Sequence, residues 1–133
     1  MTKSELIDAL KRALAAAPAE VVAVYLYGSR ARDSAREDSD IDLAFFRATP
    51  SAPAFAAQPY ALAAQLEQSI AHEVDLVELN HAPPDLVHEV LRDGIVVLDR
   101  DPELRVRMEV RARGEYLDMR PVLQRYRRAR SAS

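Results

Sequence analysis

Asp40 and Asp42 stand one residue apart in the run SDIDLAFF, which is otherwise apolar. Charged side chains in a buried strand are unfavourable unless something pairs with them. In an extended chain, residues two apart share a face, so both carboxylates can address one point. Mg²⁺ prefers a few carboxylates together with substrate phosphates, and this spacing supplies the carboxylates. Upstream, Gly28-Ser29 precedes Asp40 with ten residues between. A glycine lets the backbone approach a phosphate with no Cβ in the way. The Ser29 hydroxyl and N–H groups at a helix start could hold phosphate oxygens. Asp75 is again a lone acid in an apolar run, VDLVEL. It reads as the opening of the next central strand, from which a third carboxylate could face the same point. Two ions roughly 3.5–4 Å apart could then activate an attacking hydroxyl and stabilise a leaving pyrophosphate.

A competing reading makes Asp40 and Asp42 turn residues after EDS, with Asp40 as a cap and Asp42 at an exposed strand edge. It is the weaker one, because acids are seldom placed in such apolar runs without a partner. Other chemistries lack their residues. There is no cysteine for a disulfide, a thiolate site or a thiol nucleophile. Ser29 is not in a G-x-S-x-G elbow, since Tyr27 and Ala31 flank it. Glycine occurs only at 28, 94 and 114, too few for a Walker or dinucleotide loop. His72, His81 and His88 show no metal spacing and read as surface or half-buried residues.

The elements that must position these residues follow from periodicity. Leu6, Ile7, Leu10 and Leu14 predict a helix over 4–16 that ends before Pro18. EVVAVYLY, 20–27, reads as a strand buried on both faces, with Tyr25 and Tyr27 as core residues. RARDSAR is a short helical or turn segment, in which Arg36 is solvated. DIDLAFF is the second strand, with Asp40, Asp42 and Ala44 on one face. RATPSAPAFAAQP reads as a loop, and 59–71 as a helix carrying Leu62, Leu66 and Ile70. VDLVEL, 74–79, is the third strand, on which Glu78 faces away from Asp75. A short helix over 84–92 is closed by Gly94 and followed by the strand IVVLD, 95–99. LRVRMEVRAR alternates like a strand, yet Asp101-Pro102 is a helix opening; a long helix from 102 is therefore expected, kinked or interrupted at Pro121. The fold class is α+β: a small mixed sheet of about four strands flanked by helices, with the metal site at one edge. Parallel or antiparallel order is left open.

The 133 residues suit one domain, 1–133, with a basic C-terminal helix and tail over about 102–133. Hydrophobic residues make up 49% and charged residues 29%, the balance of a folded globule rather than a disordered chain. No apolar run approaches the length of a membrane span, and the charged N-terminus does not read as a secretory signal, so a cytoplasmic protein is expected. Net charge is −3, but no acid follows Asp118, whereas Arg120, Arg125, Arg127, Arg128 and Arg130 do. Such a tail is most simply a solvated helix end suited to the C-terminal dipole; binding to an acidic partner or nucleic acid is the alternative.

The segments GSRAR…SDIDL and VDLVEL resemble the polymerase-β-type nucleotidyltransferase superfamily, whose signature is Gly-Ser, a spacer, Asp-x-Asp and a later strand aspartate. The short chain and the ending YLDMRPVLQRYRRAR resemble the minimal nucleotidyltransferase (MNT) antitoxins, over roughly residues 5–128. The resemblance implies a nucleotidyltransferase fold. It also implies a partner, a HEPN-domain ribonuclease toxin, with which the chain would form a hetero-oligomer. AMP would pass from ATP to a tyrosine hydroxyl of that toxin. By position, Gly28 and Ser29 would bind the triphosphate, and Arg30 and Arg32 would contact phosphates or the partner. Asp40, Asp42 and Asp75 would be catalytic and would hold two Mg²⁺ ions, Asp75 also helping to deprotonate the acceptor. Neither a membrane nor a nucleic acid is expected as a direct ligand. One departure is Asp33, where the family more often has glycine; an acid pointing inward there would repel phosphate. Two other functions stay open: transfer to a small molecule or an RNA end, and a non-catalytic antitoxin that acts by occlusion.

Overall fold

The structure, a computed structural model, describes residues 1–33, 39–49 and 60–132. Helix α1 (Lys3–Leu14) opens at Thr2, whose hydroxyl accepts the Glu5 N–H at 3.1 Å. That bond satisfies one of the orphan donors of the first turn. Leu6, Leu10 and Leu14, at helical spacing, form its buried stripe. Strand β1 (Val21–Tyr27) is buried at every position, as a near-continuous apolar run requires of a central strand. It leads into a 3₁₀ turn, Gly28–Arg30. Then follow β2 (Ile41–Arg47), α2 (Tyr60–Ile70), β3 (Val74–Glu78), a 3₁₀ turn at Leu79–His81, α3 (Pro84–Asp93), β4 (Ile95–Asp99) and α4 (Pro102–Ala132).

The sheet has the order β3-β2-β1-β4. β1 runs antiparallel to both β2 and β4, and β2 runs parallel to β3. The sheet is therefore mixed, and the parallel pair is joined through α2, the crossover such a pair needs. The expected four strands and α+β class are as found. One expectation is corrected: β3, which carries Asp75, is an edge strand and not a central one.

Both faces of the sheet are covered. On one, α1 and α2 pack Leu10, Leu14, Leu62 and Leu66 against Val24, Leu26, Leu43 and Phe45. On the other, α3 and α4 bring Val87, Val90, Leu104 and Met108 against Tyr25, Tyr27, Ala44 and Phe46. Arg100, which follows β4, ties the far corner: its guanidinium donates to the carbonyls of Ala17 (2.6 Å) and Pro18 at the end of α1. Gly94 closes α3 in an extended conformation, φ −72°, so it is not a left-handed cap. Space explains it instead, since a Cβ there would lie 2.3 Å from the Val90 carbonyl oxygen.

The ambiguous segment after Asp101 is helical. The Asp101 carboxylate accepts the Leu104 N–H at 3.1 Å, the cap foreseen for that position. Of the kink or interruption expected at Pro121, the interruption is not found: the helix continues through it. Its distal half leaves Leu117, Val122 and Tyr126 at least half exposed. The basic tail is partly engaged: Arg127 pairs with Asp85 at 2.6 Å, and Arg130 lies over the Tyr126 ring at 5.8 Å. Among the described residues, no helix is long and apolar enough to cross a membrane. The expectations for Arg36 and for most of the 47–59 loop fall outside the described residues.

Candidate active site

Strand register brings three side chains into one row. Tyr27 at the end of β1 is paired with Asp42 on β2, and Asp42 with Asp75 on β3. Directly paired positions present their side chains on the same face of a sheet. The row lies on the face covered by α3 and α4, since Tyr27 belongs to that core. Tyr25 and Tyr27 are buried, as expected. Glu78 lies off this row and is ion-paired with Arg47 at 2.9 Å.

Gly28 is fitted against Asp42. Its φ is +73°, and a Cβ built on it would come 2.4 Å from Asp42 Oδ2. Any other residue would displace that carboxylate, and the left-handed backbone would also be strained. The glycine thus has a defined purpose, to let the strand-to-turn backbone pass directly beside the acid.

The acids crowd one another. Burial first, then the charges of Asp75, Asp40 and Glu89, hold the Asp42 carboxyl above its ordinary value, with Arg32 offsetting them in part. The Tyr27 hydroxyl is pushed up to about 12 by burial and by the same acids, Asp42, Asp75 and Glu89. A group of carboxylates that resist joint ionisation is the donor set that a divalent cation relieves. Among the described residues, no three His, Asp or Glu side chains converge tightly enough to hold an ion unaided. The crowded Asp42 and Asp75 carboxylates are hard oxygen donors, of the kind Mg²⁺ takes in small number beside phosphates.

Sequence-predicted residues fall into two groups. Asp42, Asp75, Gly28 and Arg32 come together, and Asp40 stands exposed at the entry to β2, near enough to act on Asp42. Ser29 sits in the 3₁₀ turn behind Gly28. Arg30 is turned elsewhere. Its Nη2 donates to the Ser39 carbonyl at 2.7 Å, and it lines a recess with Thr2, Lys3 and Leu6 of the α1 end. It thereby ties the turn to the segment that delivers Asp40. Asp33 also points away from the acids, pairing with Lys3 at 3.3 Å with its side chain 70% exposed. Its φ of +60° explains why glycine suits the position; aspartate is among the residues that tolerate that region. His88 stacks on Tyr116 at 3.9 Å between centroids, so it is a packing residue.

Glu89 was not foreseen. It projects from α3 to Arg32 at 3.3 Å and acts electrostatically on Asp42 and Tyr27. A single glutamate in HEVLRD carries no spacing signal, and only the packing of α3 over the sheet brings it here.

The family model for polymerase beta nucleotidyltransferases matches residues 8–103. The chain belongs to that nucleotidyltransferase family. Solved structures agree with the fold. A toxin–antitoxin crystal structure with AMP-PNP superposes with a TM-score of 0.69 at 23% identity, covering 92% of this chain and 93% of that one. A complex of tri-AMPylated Shewanella oneidensis HEPN toxin with MNT antitoxin gives 0.59 at 23% identity, covering 96% and 90%. A structure described as a minimal nucleotidyltransferase is 31% identical, with a TM-score of 0.56, over 71% of this chain and 95% of that chain. No curated protein sequence matches. Membership in the family agrees with the Gly-Ser, Asp-x-Asp and strand-aspartate pattern, all of which lies inside the matched residues.

Proposed function

We propose that the chain is an MNT-type antitoxin that transfers AMP from ATP to a tyrosine hydroxyl of a HEPN-domain toxin, and that it works as a hetero-oligomer with that toxin. The observation that carries the reading is the row Asp42–Asp75 with the Cβ-free backbone of Gly28 against it. The structural relatives crystallised as toxin–antitoxin complexes, one with AMP-PNP and one with an AMPylated toxin, support the choice of nucleotide and acceptor.

Asp42 and Asp75, with Asp40 at the rim, would hold Mg²⁺, two ions in the full reaction. When bound, such ions supply charge stabilisation at the transferring phosphoryl group and at the departing pyrophosphate. The chain's own part is positioning. Gly28 lets the triphosphate approach the turn, with Ser29 as a hydroxyl donor behind it, and Arg32 offers a guanidinium from the same segment. Asp75, on the edge strand, would accept the proton of an incoming tyrosine, whose pKa of about 10 otherwise keeps it protonated at neutral pH. The edge position of β3 leaves room for a protein acceptor.

The distal half of α4, where Val122 and Tyr126 stand exposed one turn apart, favours a second reading in which binding alone neutralises the toxin. One experiment separates them. The chain is co-expressed with the adjacent gene's product, ATP and Mg²⁺ are added, and intact masses are taken. One or more AMP masses on the partner, lost in Asp42→Asn, support transfer. An unmodified partner that stays bound supports occlusion. No partner at all, with a small molecule or an RNA labelled instead, would overturn both.

A further inference from the structure

Nucleotide binding at this site has to solve a charge problem. Asp40, Asp42 and Asp75 are a poor environment for a polyphosphate. The cation that offsets them at Asp42, Arg32, is already engaged, its Nη1 lying 3.3 Å from Glu89 Oε1. This inference rests on the nucleotidyl-transfer reading above. We propose that Glu89 is a counter-ion that occupies Arg32 until a nucleotide arrives with its divalent cation, so that the site rejects metal-free nucleotide.

The geometry suits an exchangeable contact. The pair is a single Nη1···Oε1 approach, and the two side chains are 48% and 40% exposed. Such a contact shifts an equilibrium by no more than about fivefold. A phosphate can take an arginine as a fork with two parallel bonds, and so can displace the glutamate. Without metal, however, the released Glu89 would add a further negative charge beside Asp42 and the incoming phosphates. With metal, the carboxylates on β2 and β3 are neutralised and that opposition falls. Glu89 can move while its backbone stays, since Val87 and Val90 of the same helix are held in the core. No other carboxylate of the site is joined to the Gly-Ser turn in this way among the described ion pairs.

The test is ATP binding by the full chain, measured by calorimetry at low salt, in EDTA and in Mg²⁺. The proteins are wild type, Glu89→Gln, Arg32→Gln and the double variant, with thermal melts to confirm folding. In EDTA, Glu89→Gln should bind ATP about two- to fivefold more tightly than wild type. In Mg²⁺ that advantage should fall below about twofold, since the neutralised carboxylates no longer oppose the phosphates. In the Arg32→Gln background the gain from Glu89→Gln should be smaller, because only the repulsion between a free Glu89 and the phosphates is left to remove, and the difference between the two gains is the coupling of the pair. Equal affinity of wild type and Glu89→Gln in EDTA, or a gain undiminished without Arg32, would overturn the counter-ion role alone, provided that wild type binds Mg·ATP. A wild-type chain that binds ATP under neither condition would overturn the nucleotidyl-transfer reading and this inference with it.

Discussion

Asp42 should weaken the fold that it equips for chemistry, and removing its charge should show this. Its carboxyl is held above the ordinary value of 3.8 by burial and by Asp75, Asp40 and Glu89. The folded protein thus holds that proton more tightly than the unfolded chain does. The linkage has a definite sign: stability falls as pH rises from the ordinary carboxylate range through the raised folded value, and is regained on acidification. Paired residues on neighbouring strands are about 5 Å apart. Two charges at that distance repel by roughly 0.8 kcal/mol at the dielectric of water and about 3 kcal/mol at an effective value near 20. A gain of about 1 kcal/mol for Asp42→Asn is a moderate expectation, or about 3–5 °C in Tm for a chain of this size. The assay is thermal melting of both proteins in EDTA across pH 4–8, and again with Mg²⁺. In EDTA at pH 7 the variant should melt higher, and the difference should shrink toward pH 4. Mg²⁺ should raise the wild-type Tm, by about 2.7 kcal/mol of stability at a hundredfold excess over Kd, and leave the variant unmoved. A variant that melts lower than wild type by the same amount at every pH would refute the reasoning, because it would make Asp42 a structural hydrogen-bond acceptor.

Three further outcomes follow from single positions. Gly28→Ala should cost about 1–2 kcal/mol for the left-handed backbone, plus the displacement of Asp42, so urea unfolding should show the loss and AMP transfer should fall with the fold intact. Asp33→Gly should leave stability within about 1 kcal/mol, as an easier left-handed residue is offset by a freer unfolded chain and a lost surface pair; ATP affinity should not change, since Asp33 faces Lys3. Leu10→Ala removes a side chain that is 0% exposed and should cost about 2–5 kcal/mol by denaturant midpoint.

The elements were legible because their signals are local. The Leu6, Leu10, Leu14 stripe, the unbroken apolar run of β1 and the Asp101-Pro102 opening each dictate an element within a few residues. Sheet order was not legible, because nothing within VDLVE distinguishes an edge strand from a central one; its rank depends on which partner β1 takes on its other side, and that is β4, at the end of the chain. At Pro121 the local penalty of about 3 kcal/mol does not end the helix, which continues to Ala132.

The site divides along the same line. Gly28, Asp42 and Asp75 could be read because each breaks the pattern of its own segment, a glycine at a strand end or an acid in an apolar run. Asp33 could be read as a departure but not resolved, since sequence gives its charge and not its direction; the backbone at +60° and the Lys3 contact turn it away from Asp42 and Asp75. Arg30 and Arg32 look equivalent two residues apart, yet one grips the Ser39 carbonyl and the other faces α3. Glu89 could not be read at all. It sits in a charged helix where an acid is unremarkable, and it acquires meaning only when α3 lies across the β1–β2–β3 row. Residues that violate local rules reveal chemistry to a sequence reader. Residues that obey them and modulate the same chemistry, as Glu89 would modulate Arg32, emerge only from the packing.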